Sequence, residues 1–176
     1  MHDQNYLNEY FSTHWSLGQG RQLTSYENIA KKINPTEWVL DVGCGHNPFK
    51  NLLPNVVGID PAFDQADFKC TIEEYQPDRL FDVALCLGSI NFGTEEIILA
   101  QIKKVVSCLK PQSRIYWRLN PGRNDHGNEA CENIKFFPWT LEYLRILSVQ
   151  FGFQQTEDGN DFHPSRPRLY AEWIRK

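Results

Sequence analysis

Apolar residues fall along this chain in short runs separated by polar breaks. The runs "EWVLDV" (37–42), "NVVGID" (55–60) and "LFDVALCLG" (80–88) are apolar nearly throughout, and the first two end in or near an acid. A weaker run, "ADFKC" (66–70), lies between the second and third. "RIYWRLN" (114–120), "FGFQQTED" (151–158) and "PRLYAEWIRK" (167–176) complete a set of seven predicted strands. Continuous apolar runs suit strands buried on both faces, as in a parallel sheet covered by helices. Between them the spacing changes to that of helices. Tyr26, Ile29, Ala30 and Ile33 form one apolar stripe, with Thr24 and Glu27 placed for a capping box and Pro35 as a stop. Ile98, Ile102, Val105 and Leu109 form a second stripe behind Thr94, with acids at its start and lysines toward its end, which suits the helix dipole. Leu144, Leu147 and Phe151 form a third, stopped by Gly152. "KPQS" (110–113) reads as a turn, and 121–137 as a long polar loop of the kind that often carries function.

Helix and strand alternate, and the chain closes on two strands joined by a loop. That order predicts an α/β fold: a doubly wound, Rossmann-like, seven-stranded, mostly parallel sheet with an antiparallel C-terminal hairpin strand and helices on both faces. In such sheets ligands bind beyond the carboxyl ends of the strands, where strand order reverses. We expect one domain over residues 1–176, with 1–20 as an N-terminal lid or cap segment and 21–176 as the core. Tyr6, Tyr10, Phe11 and Trp15 fit either a lid or an amphipathic helix lying on the sheet.

Composition narrows the function. The chain has 176 residues, 41% of them hydrophobic and 13% aromatic, which suits a folded domain with a full core. The net charge is −4 and the pI about 5.7, so no broad nucleic-acid surface is advertised. The basic cluster at the C-terminus reads as a solvated edge. The five cysteines form no C-x-x-C pair, which points to a reducing cytoplasm and no metal site. No apolar run is long enough to span a membrane, and the first residues lack the apolar core of a secretory signal.

The candidate chemistry begins at "WVLDVGCGHNPF" (38–49). Asp41 stands near the end of a strand, directly before Gly43-Cys44-Gly45. Two glycines there form a shelf on which a ligand can touch the main chain. A dinucleotide would require G-x-G-x-x-G, but the last glycine's place is taken by Pro48, and Asp41 would repel a pyrophosphate. S-adenosylmethionine carries an α-ammonium, a sulfonium and a ribose diol but no phosphate. An acid beside the shelf suits it, and Asp60, nineteen residues on, suits the diol because a carboxylate can accept from both hydroxyls.

"VLDVGCG", "VVGID", "FDVALCLGSINF" and "VVSCLKPQSRIYWRLN" resemble the successive motifs of the class I S-adenosylmethionine-dependent methyltransferases, over about residues 20–175. The resemblance implies methyl transfer from S-adenosylmethionine, here to a small-molecule acceptor. It also implies roles. Gly43, Cys44 and Gly45 line the methionine part, and Asp41 serves its amino group. Asp60 takes the ribose and Pro61 flanks the adenine. Thr71 and Ile72 stand at the adenine positions, and Leu87 and Gly88 close the pocket under the methionine. The chain departs from the family pattern at three places. Asn47 occupies the third glycine's position. Thr71 stands where an adenine-binding acid is common, with Asp67 as an alternative. Asn91 and Phe92 replace an acid and a histidine frequent in small-molecule members.

A general base is required only if the acceptor must lose a proton, and His126 and Asp125 are the candidates. Arg118 or Arg123 is suited to an acidic group on the substrate. Two other functions stay open: a non-catalytic S-adenosylmethionine-binding module acting with a protein partner and, less favoured, an NAD-dependent oxidoreductase.

Overall fold

The computed structural model describes residues 3–14, 23–121, 131–161 and 168–176. The described strands are β1 (Val39–Val42), β2 (Val56–Ile59), β3 (Phe81–Leu87), β4 (Leu109–Leu119), β5 (Phe153–Asp161) and β6 (Arg168–Arg175). They form one sheet in the order β2-β1-β3-β4-β6-β5. The first four run parallel, and β6 runs antiparallel to both β4 and β5. The chain leaves β1 outward to β2 and returns across it to β3, so strand order reverses beside β1.

Two cores, one on each face, follow from the period-two alternation of the strands. One face carries Leu40, Ala84, Cys86, Ile115, Trp117 and Trp173. Helix α3 (Glu95–Ser107) covers it with Ile98, Ile102 and Val105, and α4 (Leu141–Gln150) with Leu144 and Leu147. The other face carries Val39, Val83, Leu85 and Tyr116 under Tyr26, Ile29 and Ile33, from α2 (Leu23–Ala30) and the turn that follows it. Helix α1 (Gln4–Thr13) is capped by Asp3, whose carboxylate accepts from the N–H groups of Asn5 and Tyr6. It buries Leu7 and Tyr10 in a smaller cluster with Phe92, Cys131 and Ile134. No helix among the described residues is long and apolar enough to cross a membrane.

Three expectations change. The sheet has six strands among the described residues, not seven, because "ADFKC" contributes only a single parallel bridge, Phe68 to Ile59. The N–H groups of Asp67 and Phe68 both donate to Gly58 O, and the N–H of Cys70 then donates back to Phe68 O, folding the chain away after one residue. The predicted turn "KPQS" lies inside β4. Pairing with β3 slips between Phe81↔Leu109 and Val83↔Arg114, and Gln112 takes a left-handed φ of 62° in the bulge. Thr24 lies within helix α2 rather than ahead of it.

Candidate functional site

The turn after β1 is left-handed at every second residue: φ is 69° at Gly43, 55° at Gly45 and 57° at Asn47. Asparagine tolerates this conformation better than other side-chain-bearing residues, which explains how it replaces the expected third glycine. The amides of Gly43 and Cys44 both donate to Ile59 O, at 2.8 and 3.1 Å, and fasten the turn to the end of β2. A Cβ on Gly43 would lie 2.4 Å from Ser89 Cβ, so the turn needs glycine for space as well as for φ. Beyond Asn47 the chain makes only a single 3-10 turn, Pro48–Asn51.

Asp60 is knitted into this turn. Its Oδ2 accepts from the Gly45 N–H at 2.9 Å and its Oδ1 from the Ala62 N–H at 2.8 Å. The Phe63 N–H is a third backbone donor to this carboxylate, and the side chain faces a cavity. Burial raises its pKa, against the lowering effect of those N–H groups. Asp41 is buried more deeply, at 3% exposure, and is not on the cavity wall. Burial, and then the neighbouring Asp60, push its pKa up to about 8. Two carboxylates thus lie under one glycine turn, both held toward their neutral forms.

The main cavity opens at the carboxyl ends of the strands. Gly43, Cys44, Gly45, Asp60 and Pro61 line one end, and Leu87 and Gly88 the middle. Thr71 and Ile72 line a smaller cavity that shares Gly43, Pro61 and Ser89 with the main one. The structure therefore gathers nine of the ten expected cofactor positions around two adjoining cavities and puts the tenth, Asp41, behind the turn. Thr71 is itself tied down, donating from both N and Oγ1 to Glu74. Asp67, the alternative adenine acid, lines neither cavity. Its carboxylate accepts from the Gly58 N–H and from Lys50 Nζ. His126, Asp125 and Arg123 lie outside the described residues, as does Trp15.

Sequence reasoning passed over several residues at this site. Ser89 Oγ and Gln101 Oε1 are buried without a hydrogen-bond partner among the described residues, and both side chains border the two cavities. Glu73 stands on the smaller cavity's wall and accepts from Gln101 Nε2. Its signal was an acid two positions beyond Thr71. Asn91, noted only as a departure, is a brace. Its Nδ2 donates to Gly88 O, and its Oδ1 accepts from the Asn120 N–H, joining the end of β3 to the end of β4. Helix α1 lies against the main cavity through Gln4, Leu7, Asn8 and Phe11. Gly58 is a packing residue: a Cβ there would meet the Asn47 side chain at 2.7 Å.

No protein-family model and no curated protein matches the sequence. Solved structures do match the fold. The 1,6-didemethyltoxoflavin-N1-methyltransferase of Burkholderia thailandensis, crystallised with 1,6-didemethyltoxoflavin and S-adenosylhomocysteine, superposes with a TM-score of 0.72 at 17% identity, over 98% of this chain and 88% of that one. The magnesium protoporphyrin IX methyltransferase of Synechocystis PCC 6803, with S-adenosylmethionine bound, gives 0.74 at 15% identity, over 100% and 98%. The N-methyltransferase NodS of Bradyrhizobium japonicum WM9, with S-adenosylhomocysteine, gives 0.67 at 13% identity, over 98% and 99%. The chain has the class I fold of the S-adenosylmethionine-dependent methyltransferases.

Proposed function

We propose that this protein binds S-adenosylmethionine and transfers its methyl group to a small-molecule acceptor. One observation carries the proposal: Asp60 is held by the Gly45 N–H at the cavity wall, with a second buried carboxylate, Asp41, behind the same turn. The residues fit the cofactor on two further counts. Two orphaned polar atoms, Ser89 Oγ and Gln101 Oε1, border the cavities, and the turn bares its backbone at Gly43 and Gly45.

When bound, S-adenosylmethionine supplies a sulfonium-activated methyl group. Asp60 accepts from the ribose diol with the acceptor capacity its backbone donors leave. Thr71, Ile72 and Glu73 surround the adenine, which Pro61 flanks. Gly43, Cys44 and Gly45 cradle the methionine part over Leu87 and Gly88. Asp41, behind the turn and held toward its neutral form in the free protein, ionises as the ammonium and sulfonium offset its burial. Helix α1 covers the reacting centre against water, which sharpens electrostatics inside the cavity. His126 or Asp125 takes the acceptor's proton where the acceptor must lose one.

Nicotinamide chemistry is disfavoured, since the turn leads into one 3-10 turn rather than a helix whose N-terminus could hold a pyrophosphate. Calorimetric titration with S-adenosylmethionine, S-adenosylhomocysteine and NADH tests the proposal. Binding of the first two alone is expected, and binding of NADH alone overturns it. Turnover on an acceptor panel then separates an enzyme from a non-catalytic binding module with a protein partner.

A further inference from the structure

Among the described residues, the lining of the main cavity is electrically lopsided. Asp60, at the end of β2, is the only carboxylate among the described residues that line it. At the other end stand two guanidinium groups, Arg118 near the end of β4 and Arg168 at the start of β6. Three strand spacings separate β2 from β4, roughly 14 Å. The arginines lie fifty residues apart in sequence and are brought together by register. Arg118 pairs with Tyr170 and Leu119 with Leu169, so Arg168 projects from the same face as Arg118, one diagonal step away. Diagonal neighbours of this kind lie about 7–8 Å apart at the backbone, within reach of two long side chains converging on one anion.

The wall beside the arginines is aromatic. Phe11, Phe92 and Phe136 all line the cavity. Their rings form a chain, with Phe11 to Phe92 at 5.6 Å and Phe92 to Phe136 at 5.3 Å, in edge-on and tilted contacts. Phe92 and Phe136 are also joined by a backbone bridge, and Asn91 ties the preceding loop to the end of β4. This end of the cavity therefore combines two guanidinium-bearing side chains with an aromatic wall of mutually tilted rings. Guanidinium groups match carboxylate and phosphate oxygens in paired contacts, and an aromatic wall matches a ring.

We propose that the methyl acceptor is an anionic aromatic small molecule, its acid group held between Arg118 and Arg168 and its ring laid against Phe92. The proposal rests on the methyltransferase reading for its biological sense, and on the cavity alone for the binding site. It also assigns a task to Phe92: a residue that cannot act as a base forms the face on which the acceptor is laid.

Matched pairs test it. 2-Naphthoate against 2-naphthamide, indole-3-acetate against indole-3-acetamide, and phenyl phosphate against phenol are titrated calorimetrically, with and without saturating S-adenosylhomocysteine. At least one acid is expected to bind about tenfold or more tighter than its neutral partner, the scale of a charge-assisted forked contact. Phenyl phosphate as the preferred member identifies a phosphate monoester, and a preferred carboxylate identifies a carboxylic acid. Arg118→Gln/Arg168→Gln is expected to remove the preference and leave S-adenosylhomocysteine affinity unchanged. The single variant Arg168→Gln, at a strand start, is expected to halve the advantage or more while staying folded. Neutral members binding as well as acids in every pair overturns the proposal, as does a preference that survives the double variant. Failure of S-adenosylhomocysteine to bind overturns the cofactor reading instead, since the acid preference is also measured without it.

Discussion

The two ends of the cavity are built in different ways. The acidic end is local. Gly43, Gly45 and Asp60 come from one strand–turn–strand step of the chain, and the geometry is enforced by backbone: left-handed φ values, two amides on Ile59 O, and the amides of Gly45, Ala62 and Phe63 on the Asp60 carboxylate. The basic end is assembled at a distance. Arg118, Arg168, Phe11, Phe92 and Phe136 come from five separate stretches and meet only because β6 pairs with β4 and α1 packs on Phe92. A site for a constant partner suits the first kind of construction, since few side chains decide it. A site for a variable partner suits the second, since each wall can change alone.

That contrast can be broken experimentally, beginning with the acidic end. Gly43→Ala puts a side chain at φ 69° and 2.4 Å from Ser89. It is expected to lower stability by about 3 kcal/mol in denaturant unfolding and to abolish cofactor binding. Asp60→Ala is expected to weaken S-adenosylhomocysteine binding by about 1–3 kcal/mol, read by calorimetry; an unchanged affinity in the folded variant removes Asp60 as the ribose ligand.

Asp41 gives a pH signature. Its folded pKa, about 8, exceeds the ordinary 3.8, so the folded state holds a proton that the unfolded chain releases. Its contribution is therefore fully present below about pH 4 and is lost as pH rises through 8. Asp41→Asn is expected to flatten the fall in melting temperature across that window. Asp60, shifted the same way, leaves part of the slope. An unaltered slope would exclude Asp41 as its source. The smallest effect belongs to the basic end. Phe92→Leu keeps an apolar wall but loses ring contacts of about 0.5–1.5 kcal/mol. It is expected to reduce acceptor kcat/KM several-fold with cofactor affinity unchanged.

The same contrast explains what could be read from the sequence. The acidic end was legible because its parts are contiguous: an acid, two glycines and a second acid at the next strand end form a pattern in one dimension. The parallel core and the antiparallel ending were legible for a similar reason, since apolar runs and helical stripes are local. The seventh strand failed because a run of five residues does not reveal that the Gly58 carbonyl will draw in two successive amides and turn the chain away. The β4 bulge was hidden because Pro111 and Gln112 read as a turn whether or not pairing resumes beyond them. Arg168 could not be placed beside Arg118 without the register of two strands fifty residues apart. Ser89 and Gln101 gave no signal, since their significance is that nothing described in the protein answers Ser89 Oγ or Gln101 Oε1.

The packing of Asn47 against Gly58 has a consequence for how this chain can change. A Cβ at position 58 would sit within 2.7–2.8 Å of the Asn47 amide group, while position 47 itself, at φ 57°, accepts glycine without strain. A side chain at 58 therefore requires the Asn47 side chain to shift or to be lost first. The pair couples two positions in sequence drift, and it sits where the glycine turn meets the strand that leads into Asp60.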